Sequence, residues 1–142
     1  MSVRLATVQD VPRILEIYAP YVKNTVISFE YTVPALEEVT QRFLEITAQF
    51  PWLVWEENGT VLGYAYGSRP FERAAYQWSA EVSIYLCPEA CGKGIGKILY
   101  AALERLLQRQ GYRKVYAIIT SDNEPSVAFH RAVGYRHTAN MP

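Results

Sequence analysis

The spacing of apolar positions changes period along the chain, and each change marks an element. Val3–Ala6 is a short apolar run that reads as an opening strand. Thr7 and Asp10 stand at capping-box spacing and Pro12 is tolerated in a first helical turn. Ile14, Leu15, Tyr18 and Val22 then form a helical stripe. Pro34 opens a second helix, with Glu37 and Glu38 at its positive end and Leu36, Val39, Phe43 and Ile46 on its buried face. After Pro51 the period shortens. Trp52–Glu56 and Thr60–Tyr66 are strand-like runs joined by Glu57-Asn58-Gly59, a hairpin signal. Glu81–Cys87 is a further strand, ended by Pro88. Gly94–Gln110 is the clearest helix, with Ile95, Ile98, Leu99, Leu103, Leu106 and Leu107 apolar and Gly111 as its stop. Lys114–Thr120 returns to strand, Ser126–Val133 reads as a short helix between Pro125 and Gly134, and Tyr135–Thr138 begins a last strand. A hairpin followed by a β-α-β-α-β run predicts an α/β (α+β) chain on one mixed sheet, organised as a single domain over 1–142.

Composition narrows the function. The chain has 142 residues, half of them apolar and a fifth charged, with 8 Gly and 8 Pro, which is ordinary globular composition. Fourteen basic residues balance fourteen acidic ones. Dedicated nucleic-acid and membrane-surface proteins need an excess of positive charge, so neither partner is expected. No stretch approaches a membrane span and the first residues lack a basic-then-apolar leader. Two cysteines are too few for a disulfide framework, so a reducing, cytoplasmic location is expected. Cys87 and Cys91 form C-x3-C, but zinc needs two further ligands at sensible spacing, so no metal is expected. Eleven tyrosines and three tryptophans suit pockets, interfaces or core alike.

The overall neutrality hides a local imbalance. Residues 91–114 hold six basic side chains (Lys93, Lys97, Arg105, Arg109, Arg113, Lys114) against Glu104. A solvated helix face accounts for such runs, Arg105, Arg109 and Arg113 included. Lys93 and Lys97 differ because they stand among glycines, in Leu86-Cys87-Pro88-Glu89-Ala90-Cys91-Gly92-Lys93-Gly94-Ile95-Gly96-Lys97. There a strand runs through a glycine-rich turn directly into a long helix. Glycine admits close approach of a ligand, and the helix start offers unpaired N–H groups to phosphate oxygens. A Walker A loop fails at Cys91 and Ile98, and a dinucleotide fingerprint fails at Lys97 or Leu99 according to its start. A purely structural tight turn is the remaining alternative to a third pattern, Gln/Arg-x-x-Gly-x-Gly/Ala, whose second half is Gly94-Ile95-Gly96.

That third pattern is the pyrophosphate loop of the GNAT acetyltransferases, which the chain resembles at two motifs in the right order. The strand Glu81-Val82-Ser83-Ile84-Tyr85-Leu86 precedes the loop, and Asn123 through Tyr135 resembles the superfamily's Asn-x-x-Ala/Ser…Tyr-x-x-x-Gly-Phe/Tyr signature. Gly63-Tyr64-Ala65-Tyr66-Gly67 and Arg73 through Glu81 extend the resemblance to the phosphinothricin and methionine sulfoximine N-acetyltransferases. It implies a GNAT fold, a mixed and mostly antiparallel sheet flanked by helices. It also implies closing strands beyond Thr138–Pro142, which this sequence lacks or replaces.

The resemblance implies roles residue by residue. Acetyl-CoA would lie along Ile84, Tyr85 and Leu86 through their backbone groups, with its pyrophosphate on Gly92, Lys93, Gly94, Ile95, Gly96 and Lys97 and its pantetheine arm near Asn123 and Ser126. Cys91 replaces the usual Gln or Arg and removes one side-chain contact. Glu81 matches the carboxylate used as general base, and His130 stands where many relatives carry a proton-donating tyrosine. Phe29, Glu30, Arg73 and Tyr76 fall where relatives shape the acceptor pocket, and an arginine fork suits a carboxylate or phosphinate. The implied activity is acetyl transfer from acetyl-CoA to the primary amine of a small amino-acid-like molecule, with no metal and in a homodimer. Acetylation of protein N-termini or polyamines, and a CoA-binding module without catalysis, are the alternatives.

Overall fold

In a computed structural model, residues 2–24, 32–69, 79–112 and 114–116 are described. Strand β1 (Ser2–Leu5) leads through a single 3-10 turn, Val8–Asp10, into helix α1 (Val11–Asn24). The capping-box spacing is realised: the Thr7 N–H donates to Asp10 Oδ2 at 2.8 Å. Asp10 is buried because Arg4 reaches it with both terminal nitrogens at 2.8 Å, while the same guanidinium donates to Glu56 Oε1 at 2.7 and 2.9 Å. One arginine thus ties the first strand, the helix entrance and the second strand together. Its proximity lowers the Asp10 carboxyl below the ordinary carboxylate value.

Helix α2 (Leu36–Thr47) begins two residues after Pro34, with Glu37 and Glu38 in its first turn. Val39 and Phe43 are buried and Ile46 partly so, but Leu36 is 42% exposed, contrary to the apolar-face reading. It sits in the first turn, before the helix reaches its packing partners. Strands β2 (Trp52–Glu57) and β3 (Thr60–Ser68) form the expected hairpin. Asn58 and Gly59 both have positive φ (51° and 78°), the conformation that two-residue hairpin turns require. Strand β4 (Ser79–Leu86) pairs antiparallel with β3, and β5 (Lys114–Tyr116) pairs parallel with β4. The sheet order is β1-β2-β3-β4-β5, mixed and mostly antiparallel. The predicted strand 114–120 is described only to Tyr116, and the predicted elements Ser126–Val133 and Tyr135–Thr138 lie outside the described residues.

Alternation along the strands divides the core in two. Leu53, Trp55, Ala65, Ala80 and Val82 face helix α3 (Ile95–Arg109), which buries Ile95, Leu99, Tyr100, Leu103 and Leu107 against them. Trp52, Val54, Tyr64 and Cys87 face α1 and α2 together with Val11, Ile14, Ile17, Val39 and Phe43. Ile98 is 47% exposed although the apolar pattern includes it. The buried track runs through 95, 99, 103 and 107 and turns toward Gly96 and Tyr100, which leaves position 98 on the opposite flank.

Candidate active site

Strand β4 carries four of the predicted residues, Glu81, Ile84, Tyr85 and Leu86. Its even-numbered side chains, Val82, Ile84 and Leu86, belong to the α3 side, so Glu81, Ser83 and Tyr85 project toward α1 and α2. Glu81 is half-buried, opposite Ser68 of β3 and Tyr116 of β5. Beside it on this face runs an aromatic floor that composition could not place. Trp52 and Tyr66 stack at 4.0 Å, and Trp52 and Tyr64 at 5.5 Å. Tyr64 meets Tyr85 at 5.4 Å, and Tyr18 stands edge-on to Tyr85 at 5.1 Å. The detectable signal was the every-other-residue spacing of Tyr64 and Tyr66 in one strand.

The backbone of β4 sorts its own groups. Cys87 N–H donates to Leu62 O at 2.9 Å, which fixes the phase of the antiparallel ladder. Two residues earlier the bonded pair is Tyr64 with Tyr85, whereas Ile84 and Leu86 stand in the alternate, non-bonded pairs and turn their N–H and C=O away from β3. Of the three residues expected to offer backbone groups, Ile84 and Leu86 therefore turn them to the outer rim, where the Tyr21 hydroxyl takes up those of Leu86. Tyr85 gives its backbone to β3 and its ring to the α1 side, which corrects the backbone role expected for it.

The rim continues into the loop. After a 3-10 turn at Pro88–Ala90 the chain reaches Gly92 and Gly94, with φ of 77° and 81° and open space where a side chain would begin. Gly94 is the N-cap of α3, so the cap residue brings no side chain to that end, and no acidic residue stands in the first turn. The first N–H groups of α3 thus keep their capacity for an anion. Gly92, Lys93, Gly94 and Lys97 are exposed, whereas Ile95 and Gly96 are buried. The Ile95 side chain packs in the α3 core, so only its backbone can serve the loop. Uncapped amides, glycine conformation and two exposed lysines fit a diphosphate.

The two cysteines diverge. Cys87 points into the α1 side, where Arg13 Nη2 approaches its sulfur at 3.2 Å, and burial pushes its thiol pKa up. Cys91 is exposed in the loop, with its sulfur 3.6 Å from Cys87 O. His130, Asn123, Ser126, Phe29, Glu30, Arg73 and Tyr76 lie outside the described residues. Among the described residues no helix is long and apolar enough to cross a membrane.

Strand β4, with Glu81 near its start, thus leads through an outward backbone rim into an open glycine loop at the start of α3. The family described as acetyltransferase (GNAT) domain matches residues 3–141, and the chain belongs to it, an N-acetyltransferase by class. An L-methionine sulfoximine/L-methionine sulfone acetyltransferase of Pseudomonas paraeruginosa is 37% identical, over 99% of this chain and 83% of its own. The crystal structure of a phosphinothricin acetyltransferase from Sinorhizobium meliloti in complex with acetyl-CoA is 42% identical, with a TM-score of 0.87 over 94% of this chain and 73% of that one. A ribosomal-protein-alanine N-acetyltransferase from Brucella melitensis is 33% identical, with a TM-score of 0.91 over 98% and 86%.

Proposed function

We propose that this protein transfers the acetyl group of acetyl-CoA to the primary amine of a small amino-acid-like acceptor of the phosphinothricin or methionine sulfoximine type. The observation that carries the reading is the continuity of β4 with the loop. Glu81, the outward groups of Ile84 and the open amides at Gly92–Lys97 follow one another along one uninterrupted stretch of chain. The relatives that act on these acceptors cover most of the chain and support the choice of acceptor.

Bound at this rim, acetyl-CoA supplies an activated thioester. The loop amides, with Lys93 and Lys97, hold the diphosphate, and the Ile84 backbone orients the arm. The acceptor amine must lose a proton to become nucleophilic, and Glu81, on the face lined by Tyr66 and Tyr85, takes it directly or through one water. Nitrogen then bonds to the acyl carbon and gives up its second surplus proton to solvent as the carbon–sulfur bond breaks, and the departing thiolate receives a proton. We assign that proton to His130, the grip on the acceptor's anionic end to Arg73, the shaping of the pocket to Phe29 and Tyr76, and a hold on the acceptor's ammonium to Glu30. Asn123 and Ser126 complete the hold on the arm. We also propose that the protein works in the cytoplasm as a homodimer; sedimentation of the purified chain tests the dimer.

The test is release of free CoA thiol from acetyl-CoA in the presence of methionine sulfoximine or phosphinothricin. Turnover with either is the expected result, and no thiol release across a broad panel of amines contradicts the proposal. The likeness to the Brucella enzyme favours a second reading, acetylation of a protein N-terminus. Mass spectrometry of peptide and amino-acid products separates the two.

A further inference from the structure

The hydroxyl of Tyr21, on α1, reaches the last residue of β4. It donates to the Leu86 carbonyl oxygen at 2.6 Å and accepts the Leu86 N–H at 3.4 Å. These are the groups that the ladder turns away from β3, so one hydroxyl engages both polar groups of a single rim residue. One residue further on, Leu62 O holds the Cys87 N–H from the other side. The exit of β4 is therefore fixed from both edges, immediately before the chain turns into the glycine loop. Tyr21 is itself held, because its ring stands edge-on to Tyr85 at 5.2 Å and 74°. Burial raises its pKa above the ordinary tyrosine value, so the hydroxyl keeps the proton it donates.

We propose that Tyr21 is a positioning residue for the coenzyme arm: by holding Leu86 it sets the offset between the outward backbone groups of Ile84 and the N–H groups of the loop. The inference rests on the proposed use of this rim and loop by acetyl-CoA. An arm of fixed covalent length joins the thioester to the diphosphate, so a ligand that spans both stations is sensitive to their offset. A ligand that occupies the loop alone is not. Tyr21 touches neither station in this role and acts through Leu86.

The experiment compares Tyr21→Phe with the wild type by calorimetric titration of two ligands. One is acetyl-CoA; the other is phosphoadenosine diphosphate, the nucleotide half of the coenzyme without its pantetheine arm. The variant keeps the ring and removes the hydroxyl. With the exit of β4 no longer fixed on this edge, the two stations lose their set offset, and acetyl-CoA is expected to bind about tenfold more weakly. The nucleotide half is expected to bind both proteins within about twofold. If the variant is too unstable to titrate, the rise in melting temperature at saturating levels of each ligand reads the same split. Equal acetyl-CoA affinity in both proteins overturns the inference, as does equal weakening of both ligands, which marks a general loss of structure. Failure of the wild type to bind acetyl-CoA overturns the functional reading, and this inference with it.

Discussion

The two faces of the sheet are built from different materials. On the α3 side, Leu53, Ala65, Ala80 and Val82, with Trp55 as the one aromatic ring among these strand residues, meet a helix whose Leu99, Leu103 and Leu107 are almost wholly buried. On the α1–α2 side the strands present aromatic rings, and polar groups are placed among them. Trp52 is 5% exposed, and its indole N–H finds no acceptor among the described residues. Burial drives the Tyr64 hydroxyl far above its ordinary pKa, so it stays neutral. Glu81, Ser83 and Tyr85 remain only half-buried here. Both faces carry buried core, and the α1–α2 face also keeps half-buried polar groups beside the proposed coenzyme rim.

That division can be broken from either side. The largest effect is expected from Glu81→Gln, which removes the proposed base and leaves the volume: kcat should fall about a hundredfold to ten-thousandfold. Thermal unfolding of the same variant is expected to stay close to wild type, and initial rates beside a melting curve check both. On the other face, Leu103→Ala opens a cavity in the α3 core and should cost about 2–5 kcal/mol by urea unfolding. Folded enzyme at low temperature should keep its acetyl-CoA KM, because Leu103 lies away from the rim.

A smaller effect attaches to Asp10. Arg4 holds its folded carboxyl below the ordinary 3.8, so the unfolded chain takes up that proton more readily than the folded one. The stabilisation is fully present above about pH 3.8 and disappears as pH falls through the depressed folded value. Asp10→Asn should therefore lose about 1.5–3 kcal/mol at neutral pH, the worth of charge-assisted bonds. Its stability should also fall less steeply in acid, which urea titrations at a series of pH values will read. The smallest effects separate two turns of similar conformation. Gly59→Ala and Gly94→Ala each place a side chain at positive φ without a clash, at a cost of about 1–2 kcal/mol. Only Gly94→Ala should also weaken acetyl-CoA, by calorimetry.

Much of this arrangement was legible in residue order, because local signals and tertiary demands agree along most of the described chain. The Asn58-Gly59 hairpin, the glycine-bordered start of α3 and the strand carrying Glu81 all stand where their residues place them. Periodicity erred at Leu36 and Ile98, where an apolar residue falls on a helix turn or flank that no neighbour among the described residues covers. It also passed over Tyr100, which is buried against the sheet. The α1 aromatic face and the Tyr21–Leu86 contact were hidden for another reason. Both depend on sequence-distant residues meeting, and helical spacing alone says nothing of which strand a ring will touch. The ladder phase that takes Tyr85 out of the backbone rim likewise depends on one inter-strand bond, from Cys87 to Leu62.

The central claim is that binding and transfer occupy separate parts of one stretch of chain, the loop holding the coenzyme and Glu81 moving the proton. Measuring the acetyl-CoA Kd of Glu81→Gln by calorimetry beside its kcat with methionine sulfoximine tests this directly. The account predicts an unchanged Kd with kcat down at least about a hundredfold. A kcat within a few-fold of wild type, or a Kd that weakens in step with kcat, would contradict it.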